Sequence, residues 1–312
     1  MKVWDCFPFH HELDVLEIRL RELDKVVDRF VIVEADRTHM GDPKPLFFRE
    51  NSERFSAFRD RIIHITVTDM PETTDAWVRE SFQRNAIQRG LQDCRDGDWV
   101  VISDADEIPR ADIIKDLRDR RLRPWRTGVV GLRMPLYYCR LNYVNLAGSA
   151  HVNWGVATRV HGPLRPPQKL RNVRTGFDSQ YWKFRMGLTG CMAIPHAGWH
   201  FSYIGDEAMV RQKLRATSHA QEDDYGPVAE TLQIDRMIQQ REDLLGRGEY
   251  RWELVQIDSY FPEGVTHDPA RFAAHIAPGA TRRMRDFDGL MNFETRLWPK
   301  TRQSIGRRIP IF

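Results

Sequence analysis

Three apolar runs in the first third of the chain constrain its fold more than any other feature of the 312 residues. They are FVIVEA at 30–35, RIIHITV at 61–67 and DWVVISD at 98–104, and each suits a buried strand. Helical patterns separate them, because leucines recur at three- and four-residue steps over 12–27 and residues 74–93 also have helical character. This alternation predicts an α/β fold with a mostly parallel central sheet.

The rest of the chain predicts smaller elements around that sheet. A short strand is expected at 2–7, and a helix is expected from about Pro109, since proline suits a first helical turn. Residues 163–180 contain three prolines and a glycine and are expected to form a loop. The other expected elements are antiparallel strands in the aromatic segments 128–144 and 151–162, and helices near 206–220 and 227–245.

Composition and charge limit the class of protein. The net charge is +3, and because the last 32 residues alone carry +5, the remainder is close to neutral. A near-neutral body argues against nucleic acid as a partner, whereas the basic tail allows peripheral contact with a membrane. The four cysteines lack the paired spacing of a disulfide framework or a zinc site. No signal peptide or 18-residue apolar run is present, so a cytoplasmic location is predicted.

Two aspartates follow the third apolar run directly. Asp-x-Asp triplets occur at 96–98, 104–106 and 286–288, and about two such triplets are expected by chance in a chain of this composition. Only Asp104 and Asp106 close a buried strand, at the edge of a parallel sheet where ligands bind. The position therefore singles out the second triplet.

Two neighbouring carboxylates at that edge suit a hard divalent cation. Mg²⁺ or Mn²⁺ prefers oxygen ligands and can bridge a carboxylate to the diphosphate of a sugar nucleotide. Such an ion neutralises the charge that develops when the bond to the sugar breaks. The alternative is a turn in which the aspartates cap the following helix.

Longer segments of the sequence resemble a known family. The stretches ELDVLEIRLRELDKVVDRFVIVEADRTHMGDPKPLFF, QRNAI, VISDADEIPR and AGWHFSYIG, in this order between about residues 5 and 220, resemble glycosyltransferase family 17. That is the family of β-1,4-mannosyl-glycoprotein β-1,4-N-acetylglucosaminyltransferases. The resemblance implies a GT-A αβα sandwich and an inverting transfer of N-acetylglucosamine from UDP-GlcNAc with a divalent metal. Eukaryotic members are anchored in the Golgi by an N-terminal segment, whereas this sequence is expected to begin directly at the catalytic domain. The resemblance therefore leaves the acceptor open as a glycan, polysaccharide or glycoconjugate.

The resemblance also organises the chain into parts. A single catalytic domain is expected over 1–260, with the nucleotide-sugar and metal half at 1–125 and the acceptor half at 126–260. Residues 261–312 are expected to form a basic C-terminal extension, and the segment SDADEIPR corresponds to the Asp-x-Asp segment of the family.

Candidate donor-binding residues lie at the ends of the same strands. Glu34 and Asp36 follow the first apolar run, where carboxylates can accept hydrogen bonds from ribose or uracil, although turn acids occur there too. Arg84 and Asn85 precede the apolar run at 98–104 in the chain. Arg84 can bind the diphosphate of the donor, or it can instead pair with Glu80. Asp104 is expected to contact both the donor and the metal ion.

A histidine and a general base complete the predicted site. Pro195 and Gly198 argue against a helix around the two histidines of HAGWH, so only one is expected to face the cleft. His200 is the candidate third metal ligand, with a packed core histidine as the alternative. An inverting transfer needs a base for the acceptor hydroxyl. Glu207 is the first candidate and Asp206 the second, with the acids at 222–224 as further options. The alternative is that Asp206 and Glu207 are acids of a first helical turn, which the helix dipole favours.

Three other functions compete with this interpretation. A nucleotidyltransferase acting on sugar phosphates uses a similar sheet and metal pair, but it carries a glycine-rich loop after its first strand, which residues 7–12 lack. An inactive sugar-nucleotide or glycan-binding module would bind the donor without hydrolysing it. A nucleic-acid-binding protein would show binding that depends steeply on salt.

Overall fold

The computed structural model describes residues 1–121, 129–147, 152–179, 192–221 and 225–287. The strands among these residues are β1 (Val3–Phe9), β2 (Arg29–Ala35), β3 (Ile62–Val67), β4 (Trp99–Ile102), β5 (Glu107–Pro109), β6 (Val129–Met134), β7 (Leu136–Tyr138), β8 (Tyr143–Asn145), β9 (Val152–Arg159), β10 (Met192–Ile194), β11 (Gly198–Ser202) and β12 (Trp252–Leu254). The α-helices are α1 (Leu13–Leu23), α2 (Phe47–Glu50), α3 (Ala76–Asn85), α4 (Ala111–Arg118), α5 (Pro167–Ser179), α6 (Glu207–Ala216), α7 (Tyr225–Thr231), α8 (Ile234–Gln240) and α9 (Glu263–His267). Short 3₁₀ helices span Ser52–Arg61, Ala86–Gly90, Ser218–Gln221, Ala273–His275 and Met284–Phe287.

The larger of two sheets is mostly parallel, as the sequence predicts. Its strand order is β10-β6-β9-β4-β1-β2-β3, and β1 pairs in parallel with both β2 and β4. Strand β9 is inserted antiparallel between β4 and β6. The mixed α/β class with antiparallel additions is therefore confirmed. A second sheet, β12-β8-β7-β11-β5, joins the loop after β4 to the C-terminal part of the chain.

Side chains of the central strands alternate between two buried layers. Phe7 of β1 and Ile32 of β2 pack on one face of the sheet with Leu16 and Leu20 of α1, whereas Val31 of β2 belongs to the layer on the opposite face. That second layer also contains residues of the 3₁₀ helix after α3 and of α5. Helices therefore cover both faces, which is the arrangement that parallel strands require.

Some sequence predictions differ from the structure in the type of element or in its boundaries. Residues 163–180 contain helix α5 rather than a continuous loop, because Pro167 occupies the first helical position, where a missing N–H costs nothing. Pro109 ends strand β5, and the next helix begins at Ala111. The predicted helix at 74–93 is a shorter α3 followed by a 3₁₀ turn.

The C-terminal region packs into the same body up to residue 287. Phe261, Val265 and Phe272 lie in one apolar cluster with Val15 and Ile18 of α1, so the expected boundary at residue 260 is not a break in packing. Residues 288–312, which form the last part of the predicted basic extension, lie outside the described part of the chain. Within the described ranges, no helix has the length and apolar character needed to cross a membrane.

A buried arginine joins α1 to the end of β4. Arg19 has no solvent exposure and donates to both carboxylate oxygens of Asp5 on β1, at 2.6 and 2.7 Å. It also donates to the hydroxyl of Ser103 at 2.7 Å and to the carbonyls of Asp104 and Glu107 at 2.7 and 2.9 Å. Arg19 thereby fixes the backbone turn that carries the two predicted metal ligands.

Replacing Arg19 with methionine should destabilise the fold strongly. The substitution leaves the carboxylate of Asp5 buried without its partner, which costs about 3–5 kcal/mol in the free energy of unfolding. Urea denaturation of Arg19→Met and wild type measures this loss. Arg21→Met is the matched control, because Arg21 lies on the same helix with a side chain 39% exposed, and it should change stability by less than about 0.5 kcal/mol. Equal stabilities of the two variants would contradict this role for Arg19.

Candidate functional site

Polar segments from three parallel strands meet at one edge of the large sheet. Strand β1 leads into His10, His11 and Glu12, strand β2 leads into Asp36, and strand β4 leads into the turn 103–107. The register confirms that these ends are neighbours, since β1 lies between β2 and β4. Helices α3, α5 and α6 add basic side chains to the same edge. The predicted location of the site, at the carboxyl ends of the strands, agrees with this arrangement.

Asp104 is bound by two arginines. Its Oδ1 accepts from Arg84 of α3 at 2.8 Å, and its Oδ2 accepts from Arg171 of α5 at 2.8 Å. Arg84 also pairs with Glu80 at 2.8 Å, as the alternative interpretation of its sequence position predicts, and its binding of diphosphate stays a prediction. Burial opposes its charge, but the carboxylates of Asp104 and Glu80 raise the pKa of Arg84 above its ordinary value. Both oxygens of Asp104 therefore already have cationic partners.

Arg171 also locks the turn after β4. Its side chain is 1% exposed and forms a two-point ion pair with Glu107, at 2.5 and 2.6 Å. Glu107 in turn accepts from the backbone N–H of Asp104 at 2.7 Å. A two-point arginine–carboxylate pair of this kind fixes orientation as well as charge. Glu107, which adjoins the predicted metal pair, thus holds the shape of the turn.

Asp106 shares a lysine with Glu12. The ammonium nitrogen of Lys213, on α6, lies 2.6 Å from Oδ2 of Asp106 and 2.6 Å from Oε1 of Glu12. Burial alone would lower the pKa of Lys213, but the two carboxylates raise it above its ordinary value. Burial likewise opposes ionisation of Glu12, yet Lys213 holds the pKa of Glu12 well below its usual range. Lys213 and Glu12 are therefore both charged near neutral pH.

His200 faces the same turn, and His196 does not. The pairing of β11 with β5 places His200 opposite Glu107, and its Nε2 lies 3.6 Å from Oδ1 of Asp106. That distance is too long for a hydrogen bond. Burial lowers the pKa of His200 to about 4, so the ring is neutral at pH 7. His196 lies instead beside the hydroxyl of Tyr260, at 3.2 Å.

The predicted metal ligands do not form a metal site as they are arranged. Asp104 is paired with two guanidinium groups, and Asp106 is paired with an ammonium group. Among the described residues, no three histidine, cysteine, aspartate or glutamate side chains are grouped so that they could hold a metal ion. The side chains in this arrangement therefore do not fit Mg²⁺ or Mn²⁺.

Several buried polar atoms at this edge have no hydrogen-bond partner. They are Nε2 of His10, Oδ1 of Asp36, Nδ1 of His39, Nε of Arg84, Nε of Arg171 and Nδ1 of His200. Buried polar groups are normally bonded, so these atoms can accept a polar ligand or water as their partner. Two surface cavities, of about 470 and 430 Å³, are lined by other parts of the chain and contain none of these atoms.

Two predicted donor-binding residues are occupied within the fold. Both carboxylate oxygens of Glu34 accept from the start of helix α2, at Phe48 N (2.8 Å) and Arg49 N (3.3 Å), so Glu34 holds α2 in place. Asn85 accepts from the backbone N–H of Gln168 at 3.0 Å, which joins α3 to α5. Of the predicted nucleoside-binding acids, Asp36 alone keeps a buried oxygen without a partner.

The predicted general bases lie at the far end of α6. Asp206 caps the helix by accepting from Met209 N at 2.9 Å, and Glu207 accepts from Ile234 N at 3.0 Å. Lys213 lies seven residues further along, which is about 10 Å on an α-helix. The structure thus gives both acids a role in helix packing, and their assignment as base stays a prediction. The alternatives at 222–224 lie outside the described residues.

Comparisons with known proteins assign the first part of the chain. A family model described as glycosyltransferase family 17 matches residues 1–139. The matched part, called the family 17 segment below, is less than half of the chain. It is similar to the β-1,4-mannosyl-glycoprotein 4-β-N-acetylglucosaminyltransferases of Rattus norvegicus and Homo sapiens, each 33% identical over 119 residues. The predicted resemblance is therefore confirmed over this range.

The match to these relatives is partial. It covers 36% of this chain but only 22% of the length of either relative. A likeness of fold to the crystal structure of S. aureus TarS 1-349 covers 77% of this chain and 78% of that chain, at 9% identity and a TM-score of 0.36, which is too low to support an argument. The family 17 segment contains Glu12, Arg84, Asp104 and Asp106, whereas Arg171 and Lys213 follow it in the chain.

Lys213, Arg171 and Glu12 are site residues that the sequence analysis did not identify. A basic residue within an amphipathic helix is usually solvent-exposed, and the interpretation of 163–180 as a loop left Arg171 without a position. One signal was available for Lys213. It lies three residues after Val210 and just before Leu214, both of which are buried, so helical periodicity places it on the apolar face of α6.

His200 should make the fold sensitive to acid. Its pKa is lowered from 6.5 to about 4, so between these values the unfolded chain binds a proton that the folded chain does not. The free energy of unfolding therefore falls as the pH drops through this window. The loss from this one group is about 2 kcal/mol at pH 5 relative to pH 7.5.

Urea denaturation of wild type and His200→Gln at the two pH values measures this contribution. The variant should lose about 2 kcal/mol less than wild type on acidification. His161→Gln is the control, since His161 is exposed, and it should follow wild type. A His200→Gln variant that loses as much stability as wild type would exclude a buried neutral His200.

Proposed function

We propose that the chain is an inverting glycosyltransferase that transfers N-acetylglucosamine from UDP-GlcNAc to a hydroxyl of a glycan or glycoconjugate. The family 17 segment and the names of its relatives support a transfer of this sugar. In the proposed reaction the acceptor oxygen attacks C1 of the sugar and loses its proton to a base. The bond from C1 to the diphosphate oxygen breaks, and UDP leaves with the electron pair.

The observation that carries the proposal is the unsatisfied polar edge at the ends of β1, β2 and β4. It combines buried cationic groups with donors and acceptors that have no protein partner. A nucleoside diphosphate supplies both kinds of complement, because its phosphates accept hydrogen bonds and its ribose and base also donate them. Ligands of α/β sheets bind at this edge.

Asp36 is the residue that fits nucleoside recognition best. It lies directly after β2, and its Oδ1 is buried without a partner. Its backbone is fixed on both sides, since its N–H donates to the carbonyl of Val67 at 3.1 Å and its carbonyl accepts from Lys44 at 2.8 Å. A carboxylate held in this way can accept from ribose hydroxyls or from the uracil N–H.

Release of UDP from a panel of nucleotide sugars tests the proposed function. UDP-GlcNAc, UDP-glucose and GDP-mannose are each incubated with the chain, in chelator and in Mn²⁺, and nucleotide release and thermal stabilisation are measured. UDP-GlcNAc should be hydrolysed slowly without an acceptor, and faster than the other two donors. Binding without hydrolysis would indicate an inactive binding module. The absence of both effects for every donor would contradict a glycosyltransferase.

Removing the Asp36 carboxylate should weaken donor binding more than it slows the chemical step. Asp36→Ala is expected to raise KM for UDP-GlcNAc by about tenfold while kcat changes little, because the lost contact is the same in ground and transition states. Asp42→Ala is the matched control, since Asp42 is an exposed acid on the same loop. Unchanged KM in Asp36→Ala, or equal effects in the two variants, would place the nucleoside elsewhere.

A further inference from the structure

The ammonium of Lys213 lies against Asp106, where the sequence predicts a divalent cation. We propose that Lys213 is the cationic group that contacts the donor's diphosphate, and that transfer at this site proceeds without a divalent metal ion. This inference rests on the proposed function and identifies the residue that stabilises the leaving group in it.

The ammonium of Lys213 occupies Oδ2 of Asp106, where a metal ion was expected. Its Nζ lies 2.6 Å from carboxylate oxygens of both Asp106 and Glu12, and its side chain is only 12% exposed. Mg²⁺ binds oxygen ligands at about 2.0–2.1 Å in a nearly ideal octahedron, so it would have to displace the ammonium from both acids. Separating a buried ion pair weakens the apparent affinity for the competing ion by a factor of about 100 or more.

Asp104, the second predicted metal ligand, is also occupied. One of its oxygens is bound to Arg84 and the other to Arg171. A metal ion would therefore need to break ion pairs at Asp104 as well as at Asp106. The cations of these pairs supply, in fixed positions, the positive charge that a metal ion was expected to supply.

These cations keep hydrogen-bond donors for a ligand. An ammonium group has three N–H bonds, of which Lys213 uses two on Glu12 and Asp106. Nε of Arg84 and Nε of Arg171 are buried and have no partner. Hydrogen bonds from charged donors to phosphate are short and strong. When the bond from C1 to the diphosphate breaks, a donor fixed beside the leaving oxygen stabilises the charge that forms there.

The number of charges does not by itself distinguish an ammonium from a metal ion. Counted over the described residues alone, five carboxylates of this network pair with three cations, so a divalent ion would also be attracted to it. The carboxylates belong to Glu12, Glu80, Asp104, Asp106 and Glu107. The two cases differ in the effect of a chelator and in the effect of removing the charge of Lys213.

Lys213→Met, Lys213→Arg and Arg215→Met separate these cases. UDP release from UDP-GlcNAc and UDP binding by calorimetry are measured for each protein in EDTA and in excess Mn²⁺. Wild-type turnover should be the same in both buffers, and Lys213→Met should lose about 100-fold in turnover in both. Lys213→Arg should retain part of the activity. Arg215→Met should match wild type, because Arg215 pairs with Glu230 and its side chain is 57% exposed on the same helix.

A second readout does not depend on turnover. The magnetic resonance signal of free Mn²⁺ should stay unchanged when wild type is added, with or without UDP. Tight Mn²⁺ binding that Asp106→Asn abolishes would overturn the inference. Because Lys213→Met leaves two buried carboxylates unpaired, circular dichroism checks its fold, and Glu12→Gln combined with Lys213→Met repeats the test with one negative charge fewer.

The outcomes distinguish this inference from the proposed function. Turnover of UDP-GlcNAc that EDTA abolishes and Mn²⁺ restores would overturn the role of Lys213 and leave the glycosyltransferase proposal intact. Full activity in Lys213→Met would do the same. If wild type neither binds UDP nor hydrolyses any nucleotide sugar in either buffer, the proposed function fails and this inference fails with it.

Discussion

Two arginines hold the turn between β4 and β5, one through its backbone and one through its side chains, and the geometry of the whole site depends on this. Arg19 donates to the backbone carbonyls of Asp104 and Glu107, and Arg171 binds the side chains of the same two residues. Backbone and side chains of the turn are thus fixed independently. A turn held in this way can present Asp106 to Lys213 in a single orientation, which a free loop would not do.

The sequence predicted the sheet because a parallel strand that is buried on both faces has a continuous run of apolar residues. It also predicted that the acids following these runs lie at one edge of the sheet, since parallel strands end there together. Helix α5 was missed for a physical reason. Pro163, Pro166 and Pro167 together are typical of a loop, but proline at a first helical position is compatible with a helix, so here the cluster precedes and starts one.

The cations of the site were harder to predict than its acids. Arg19 lies among Leu16, Leu20 and Leu23 on the buried face of α1, and Lys213 lies between Val210 and Leu214 on α6. A basic residue on the apolar face of a helix is the local signal, but its partners come from distant segments and only tertiary packing reveals them. The family 17 segment adds to this difficulty, because it ends at residue 139 and so contains the acids but not Arg171 or Lys213.

Buried ion pairs serve two purposes in this molecule. The two can be distinguished by whether every N–H group of the buried arginine has a hydrogen-bond partner. All five N–H groups of Arg19 have partners on Asp5, Ser103 and the turn, so nothing is left for a ligand and its role is structural. Arg84 and Arg171 are equally buried, yet each keeps an Nε without a partner. Burying a charged donor without a hydrogen-bond partner costs free energy. A fold that needed the arginine only for rigidity would gain nothing from leaving its Nε without a partner. Both arginines bind Asp104, two residues from the aspartate that binds Lys213, and this shared location is why the network is better explained as a site for an anionic ligand than as a second structural clamp.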